Sequence, residues 1–327
     1  MINLFVTYRC NLSCSYCFAK DLQADFPEDM SLKRFERLLD WMRPAPPSAV
    51  GLIGGEPTLH PHLVAMLARL AEENIPAVIF TNGLFPEGLA ERLAPLAANF
   101  VVNANDPAAY PPALATRLAA NLERLRDLEA NLVFSKNFHK GGLDYGYLLE
   151  ALDRYGARAV RYDISRPSGS GKNEHFTQED TREIMAHVAG FVKACEEKGV
   201  RTGLDCSVRL CDLRDDDRRY LERASMKFSG VCHPSMDIHP DLSASYCLPM
   251  RDVRVPDVTA FANQEALMWH FAKLARPIRQ ANVGADCLEC KDFMRRCQGG
   301  CMALRRASAR GADRAGQASD MLEAQGS

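Results

Sequence analysis

The sequence has 327 residues, of which 47% are hydrophobic and 25% are charged, as is typical of a globular protein that buries a sizeable core. The formal net charge of −2 argues against binding driven mainly by the charge of nucleic acid. No run reaches the length of a membrane span, about 18 uninterrupted apolar residues, and the first residues lack the basic region and cleavage site of a secretory signal.

Six short apolar runs recur along the chain, and each is followed by a helical pattern. The runs cover residues 4–6, 50–53, 77–80, 100–102, 132–134 and 159–162. Such runs are typical of buried parallel strands, and apolar residues three and four apart between them indicate amphipathic helices. Because six strand–helix units are too few for an eight-unit barrel, we expect an α/β fold with a partial, open (β/α)6 barrel. A flat doubly wound sheet is the alternative.

Polar or glycine-rich residues follow each of the six predicted strands. These segments are residues 7–10, 54–57, 81–83, 103–106, 135–137 and 165–169. The active site of such folds collects at the carboxyl ends of the strands, so we expect these segments to line one shared site. The polarity of ordinary loops accounts for part of the pattern.

The pattern changes after about residue 200. Residues 236–247 predict two short strands around a Pro-Asp turn, and a helix is expected over Gln264–Arg279, followed by a dense block of cysteines. We therefore expect a barrel domain over residues 1–200 and a small metal-stapled domain over 201–306. Residues 307–327 lack aromatic residues and predict a disordered tail.

The 12 cysteines are clustered, and without a secretory signal they argue for a cytoplasmic metal-binding protein over a disulfide framework. Cys10, Cys14 and Cys17 directly follow the first predicted strand. Three thiolates on one short loop hold three corners of a four-iron cube and leave the fourth iron open. Zinc is the alternative, and it needs a fourth ligand, for which His60 and His62 are the nearest candidates.

The spacing Cys-x3-Cys-x-aromatic-Cys, with Tyr16 as the aromatic residue, resembles the signature of the radical SAM superfamily. The resemblance covers about residues 1–200. It implies a partial barrel whose catalytic residues Cys10, Cys14 and Cys17 hold a [4Fe-4S] cluster, with S-adenosylmethionine on the open iron. Such a cluster cleaves that cofactor reductively to a 5′-deoxyadenosyl radical, which abstracts a hydrogen atom from the substrate.

Further positions match the same family. The segment Gly54-Gly55-Glu56-Pro57 resembles its GGEP motif, in which two glycines allow a close approach of the backbone and Glu56 would bind the ammonium group of the cofactor. The resemblance implies further cofactor contacts at Tyr16, Thr81, Asn82, Asn103, Ser135 and Arg161. Asn105 is the alternative to Asn103, and Arg166 is the alternative to Arg161.

The later cysteines resemble the SPASM extension of radical SAM enzymes, which carries auxiliary iron–sulfur clusters. The usual ligand assignment in that extension implies that Cys232, Cys247 and Cys301 bind one cluster, and that Cys287, Cys290 and Cys297 supply three ligands of another. The chain departs from the pattern because no cysteine follows Cys301 and because Leu242 stands where a turn glycine is usual. Three protein ligands, an unusual ligand, or Cys206 or Cys211 as a substitute would account for the missing cysteine. A single auxiliary cluster, as in the twitch variant, and a structural zinc ribbon are the alternatives.

These features predict a radical SAM oxidoreductase-type enzyme that modifies a peptide or protein side chain. Oxidation or decarboxylation of a small molecule, such as a sugar or a cofactor precursor, is the second choice. A non-catalytic iron–sulfur or zinc scaffold is the alternative from another class. Only three residues precede the first predicted strand at 4–6, which counts against a peptide substrate unless a separate protein recognises the peptide. The expected electron donor is a flavodoxin or a ferredoxin.

Overall fold

The computed structural model describes residues 1–281, 283–307 and 309. These residues form one sheet of 11 strands in the order β11-β10-β9-β1-β2-β3-β4-β5-β6-β7-β8. The strands are β1 (Ile2–Thr7), β2 (Val50–Gly54), β3 (Ala77–Thr81), β4 (Asn99–Asn103), β5 (Leu132–Phe138), β6 (Ala159–Ile164), β7 (Arg201–Leu204), β8 (Ser225–Met226), β9 (Asp237–Ile238), β10 (Ala244–Ser245) and β11 (Arg254–Val255).

The strands β1 to β8 lie side by side in chain order and run parallel. Within the described residues the order is linear, so the sheet stays open between β8 and β11. The predicted partial barrel is therefore confirmed, and all six predicted strands are present as β1 to β6. The structure adds β7 and β8, which the apolar runs did not indicate.

Helices alternate with the parallel strands. They are α1 (Leu32–Met42), α2 (Leu63–Glu72), α3 (Leu89–Leu93), α4 (Pro112–Asp127), α5 (Gly146–Tyr155), α6 (Thr181–Glu197) and α7 (Asp215–Ala224), whereas α8 (Gln264–Gln280) and α9 (Ala285–Leu288) follow β11. Local signals set their ends: the Ser31 side chain caps α1 by accepting a hydrogen bond from the Arg34 amide. The expected helix over Gln264–Arg279 is confirmed as α8.

The core lies between the sheet and the outer helices. Ile2, Leu4 and Val6 alternate along β1, and all three are buried in one cluster with residues of α1. Tyr162 of β6 meets Phe191 of α6 edge-on, with ring centroids 5.7 Å apart. Each fully buried side chain of this kind stabilises the fold by about 1.5–3 kcal/mol. The packed helices hold the strands in place. The loops described below leave the carboxyl ends of these strands.

Strands from residues after 200 join both edges of the same sheet. β7 and β8 extend it beyond β6, and β9 pairs with β1, where Asn3 Nδ2 donates to Asp237 Oδ1 at 2.9 Å. The hairpin expected over residues 236–247 is confirmed as antiparallel β9 and β10, with Leu242 in the turn at a φ of +72°. The domain division at residue 200 stays a prediction. The predicted tail lies outside the described residues, apart from 307 and 309.

Candidate functional site

The cysteine loop, residues 8–18, leaves the carboxyl end of β1. Cys10 is exposed, Cys14 and Cys17 are half-buried, and all three are free thiols. The Cys17 amide donates to the Cys14 carbonyl at 3.2 Å, which closes a tight turn between the last two cysteines. The structure therefore places the three predicted catalytic cysteines together on one loop at the edge of the sheet where an active site is expected.

Gly54 and Gly55 dock the end of β2 against the backbone of this loop. The Gly55 amide donates to the Thr7 carbonyl at 2.9 Å, and the Glu56 amide donates to the Arg9 carbonyl at 2.8 Å. A Cβ atom on Gly54 would lie 2.1 Å from the Thr7 oxygen, and one on Gly55 would lie 2.4 Å from the Arg9 oxygen. Gly54 is therefore required by the last residue of β1, and Gly55 by the start of the cysteine loop. Their predicted contact with a cofactor stays a prediction.

Glu56 joins the ends of β2 and β3. Its carboxylate is 0% exposed and accepts hydrogen bonds from the Thr58 amide and hydroxyl at 3.1 and 2.6 Å, from Thr81 Oγ1 at 2.8 Å and from the Asn82 amide at 2.7 Å. Burial raises the pKa of Glu56, and these hydrogen bonds oppose the rise. Oε1 accepts three of the bonds and Oε2 accepts one, so Oε2 keeps capacity for a further donor.

Asparagine side chains face two of the cysteine sulfurs. Asn82 Nδ2 donates to Asn11 Oδ1 at 2.7 Å and lies 4.0 Å from Cys10 Sγ. Asn105 Nδ2 lies 3.8 Å from Cys14 Sγ. Amide N–H groups beside sulfur are among the features that set the reduction potential of an iron–sulfur site. The sequence predicted Asn82 but gave no signal for Asn11, and it offered Asn105 only as an alternative.

Tyr16 anchors the cysteine loop to the neighbouring strands. Its hydroxyl donates to Asn105 Oδ1 at 2.5 Å and accepts from Asn103 Nδ2 at 2.8 Å. Asn103 Oδ1 in turn accepts from Asn137 Nδ2 of β5 at 2.9 Å, and the Tyr16 carbonyl accepts from Asn173 Nδ2 at 2.9 Å. The motif's aromatic residue is thus tied to β4, to β5 and to the loop after β6, and it fixes the loop between Cys14 and Cys17.

Arg161 and Ser135 form a second polar group on the sheet. Arg161 Nη1 donates to Ser135 Oγ at 3.3 Å, and the guanidinium lies 5.2 Å from the centre of the Phe80 ring. Arg161 also forms an ion pair with Asp205, the residue after β7. Sequence reasoning missed Asp205 because β7 itself was not predicted. The structure thus brings together Ser135 with Arg161, Tyr16 with Asn103, and Glu56 with Thr81 and Asn82.

The six later cysteines named in the sequence analysis lie between residues 232 and 301. All are free thiols: Cys297 and Cys301 are buried, Cys232, Cys247 and Cys287 are half-buried, and Cys290 is exposed. Burial raises the pKa of Cys247, and the thiols of Cys232 and Cys301 raise it further. Burial likewise raises the pKa of Cys287, to which Cys297 and Cys290 add. In residues 1–281, 283–307 and 309, no three His, Cys, Asp or Glu side chains are gathered closely enough to hold one metal ion. The ligand assignments therefore stay predictions.

The histidines considered as zinc ligands have other contacts. His60 is buried, and its Nε2 lies 2.9 Å from the Met30 carbonyl, while its Nδ1 accepts from the His62 amide at 3.1 Å.

No helix in the described part of the chain is both long and apolar enough to cross a membrane.

Residues 4–108 match the model of the radical SAM superfamily. The Fe-coproporphyrin III synthase of Methanosarcina barkeri is 31% identical over 97 residues, and the chain spans only 24% of that enzyme's length. The mycofactocin maturase MftC of Mycobacterium ulcerans is 26% identical over 318 residues, which are 92% of this chain and 82% of that protein.

The fold is similar to that of SuiB from Streptococcus suis, solved bound to its precursor peptide SuiA. The TM-score is 0.60 at 15% sequence identity, and the similarity covers 93% of this chain and 70% of SuiB. At this identity the likeness establishes the fold. It extends beyond the matched domain to the cysteine-rich part of the chain.

Proposed function

Because the chain belongs to the radical SAM superfamily, we propose that it is an enzyme that cleaves S-adenosylmethionine reductively and abstracts a hydrogen atom from a peptide or protein side chain. One observation carries this proposal: three free thiols share one loop at the carboxyl end of β1, inside a hydrogen-bonded frame built from four strands. The scaffold alternative needs the thiols but gives no reason for such a frame.

The donor set fits a [4Fe-4S] cluster with one open iron. Cys10, Cys14 and Cys17 would hold three corners, because they are free, adjacent and reachable from solvent through exposed Cys10. The chemistry that the bound cluster and S-adenosylmethionine supply is one-electron cleavage of a C–S bond, which gives the 5′-deoxyadenosyl radical.

The chain's own residues position and tune this site. Gly55 and Glu56 fix the cysteine loop to β2 through two backbone hydrogen bonds, so the sulfurs hold their places. Asn82 and Asn105 offer N–H groups toward Cys10 and Cys14, which favours the more negatively charged, reduced state. The free capacity on Glu56 Oε2 suits the ammonium group of the cofactor, and Tyr16, Asn103, Ser135 and Arg161 supply further polar contacts.

A peptide substrate is favoured by two of the proteins whose similarity covers most of the chain. One is called a mycofactocin maturase, and the other was solved with a precursor peptide. The electron donor would be a flavodoxin or a ferredoxin, and a separate protein would help to present the peptide. We place the enzyme in the cytoplasm, because all 12 cysteines are free thiols and iron–sulfur ligands require reducing conditions.

The test uses oxygen-free, iron-loaded protein with S-adenosylmethionine, dithionite and candidate peptides, including any short peptide found encoded beside its gene. We expect 5′-deoxyadenosine to form and a peptide to change mass, and both products to disappear when Cys10, Cys14 and Cys17 are replaced together by Ala. The matched control is Cys195→Ala, since Cys195 is a buried thiol of α6. Intact S-adenosylmethionine under strong reductant would contradict the enzyme proposal. Cleavage that no peptide changes would favour a small-molecule substrate.

A further inference from the structure

We propose that His239, which lies in the turn between β9 and β10, positions the cysteine loop by holding the hydroxyl group of Tyr8. Tyr8 is the first residue of that loop and lies two residues before Cys10. His239 is thus a positioning residue that acts from the second half of the chain on a site in the first half. The inference deepens the proposed function, and it rests on that function only in taking the three loop cysteines to bind a cluster.

Tyr8 and His239 are joined by a short, buried hydrogen bond. The Tyr8 hydroxyl and His239 Nδ1 are 2.6 Å apart, and the two residues are 4% and 1% exposed. On the other side of the imidazole, Nε2 lies 2.8 Å from Ser245 Oγ, which in turn donates to the Arg251 carbonyl at 3.5 Å. Buried polar groups are costly unless they are paired, and both ring nitrogens of His239 have a partner.

This chain of contacts fixes the positions of the protons. Because the hydroxyl hydrogen of Ser245 points to the Arg251 carbonyl, Ser245 Oγ accepts from Nε2–H of His239. Nδ1 of the neutral ring then carries no hydrogen and accepts from the Tyr8 hydroxyl. Burial lowers the pKa of His239 to about 4, which agrees with a neutral ring at pH 7. The bond therefore runs in one direction, from Tyr8 to His239.

Aromatic rings confine both partners of this bond. The Tyr8 ring stacks on Phe5 and on Phe26, with centroids 5.4 and 5.2 Å away. The Phe26 ring also stacks on His239, with centroids 4.5 Å apart and an interplanar angle of 17°. An apolar side chain at position 239 would fill this space without requiring polar partners. What the imidazole adds is therefore the direction of its hydrogen bonds.

His239 is itself held in place by the sheet. Ile238 of β9 pairs with Leu4 of β1, which sets the register of the two strands. The next residue is His239, and its amide donates to the Ser243 carbonyl at 2.8 Å across the turn. The imidazole therefore has a fixed base from which it holds Tyr8.

The backbone of Tyr8 transmits this restraint to the cysteine loop. A Cβ atom on Gly55 would lie 2.6 Å from the Tyr8 carbonyl oxygen, and the Glu56 amide donates to the Arg9 carbonyl at 2.8 Å. The side chain of Tyr8 is thus held by the hairpin while its carbonyl lies against the residues that follow β2. Cys10 comes one residue later, so a shift of Tyr8 displaces the first thiol of the loop.

The first experiment measures amide hydrogen exchange in iron-free protein by mass spectrometry with residue-level fragmentation, so it requires neither the cluster nor catalysis. The Gly55 and Glu56 amides donate to carbonyls of residues 7 and 9, so they exchange when the cysteine loop separates from them. We expect Tyr8→Phe and His239→Phe each to raise the exchange rate of these two amides about fivefold, the factor that one buried hydrogen bond contributes.

The double variant and a matched control complete this experiment. Because both substitutions remove the same bond, the double variant should exchange no faster than the faster single variant. Tyr155→Phe should leave the two amides unchanged, since Tyr155 is a buried tyrosine on α5. Unchanged exchange in both single variants, an equal rise at amides throughout the chain, or a double variant whose factor is the product of the two would overturn the proposal.

The second experiment follows the reduced, iron-loaded protein by electron paramagnetic resonance. The signal of the amino-terminal cluster is identified by its change when S-adenosylmethionine is added. We expect Tyr8→Phe and His239→Phe to alter this signal in the same way, because the displaced loop changes the surroundings of Cys10, while Tyr155→Phe keeps the wild-type signal. A signal unchanged in both variants would overturn the proposal.

Formation of 5′-deoxyadenosine by the wild-type protein tests the proposed function separately. If the amides exchange faster in both variants but wild-type protein leaves S-adenosylmethionine intact, the enzyme proposal fails and the positioning of the loop by His239 stands.

Discussion

The contact between Gly55 and the cysteine loop gives the sharpest prediction. In Gly55→Ala the new Cβ would lie 2.4 Å from the Arg9 oxygen and 2.6 Å from the Tyr8 oxygen. This is roughly 1 Å short of ordinary contact. Both obstacles are backbone atoms, so no side chain can rotate away. The cysteine loop must therefore separate from β2.

The cost follows from what the separation breaks. Overpacking of this kind costs about 1–3 kcal/mol. The hydrogen bonds from the Gly55 and Glu56 amides to Thr7 and Arg9 are lost as well, at about 1 kcal/mol each. We expect a loss of about 3–5 kcal/mol, which corresponds to a fall in melting temperature of about 4–7 °C for a chain of this size.

Thermal unfolding and iron analysis on the same preparation check this prediction. The matched control is Gly284→Ala, because Gly284 has a φ of −64° and open space around its Cβ position. The control should change the melting temperature by about 1 °C or less. Gly55→Ala should also lose about four irons per chain, since its displaced loop carries Cys10. A variant that melts with the control and keeps its iron would refute this account of the glycine pair.

Three further changes test other parts of the structure. Asn105→Ala removes the amide near Cys14 and the acceptor of the Tyr16 hydroxyl. The reduction potential of the amino-terminal cluster should therefore become more negative in a spectroscopic redox titration. An unchanged potential would show that this amide has no electronic effect. Leu242→Gly relieves the strain of a φ of +72°, which stabilises the fold by about 1 kcal/mol, but it removes a side chain that is only 1% exposed, which destabilises the fold by about 2–5 kcal/mol. The melting temperature should therefore fall. A rise would mean that backbone strain dominates. Burial lowers the pKa of His239 to about 4, so between pH 6.5 and 4 the histidine is protonated in the unfolded chain but not in the folded one. The difference in unfolding free energy between wild type and His239→Gln should therefore shrink as the pH falls through that window. A difference that stays constant would contradict this prediction.

The strands that could be predicted are those with a continuous apolar run. β1 to β5 bury most of their residues and β6 buries every second one, and their sequences show this burial directly. β7 reads Arg201-Thr202-Gly203-Leu204, and its only bulky apolar residue is the last one, so periodicity gave no signal. β8 is two residues long and pairs with β7, and a segment this short shows no periodicity.

The same limit applies to the site. The cysteine spacing located the loop because its ligands are local in sequence. The partners of Glu56 lie on β3, and Asn105 lies beyond β4, so their contacts follow from strand order and register rather than from any motif. The glycines of the GGEP-like segment were correctly singled out, yet the close approach that requires them is to the backbone of residues 7–9.

The pairing of β9 with β1 has a consequence for how the chain acquires its structure. β1 is synthesised before the other strands of this sheet, and its second neighbour is more than 200 residues away in the sequence. Until residue 237 has been synthesised, the strand that leads into the cysteine loop presents a bare hydrogen-bonding edge. The strand that leads into the cysteine loop therefore gains its second partner only after more than 200 further residues have been made.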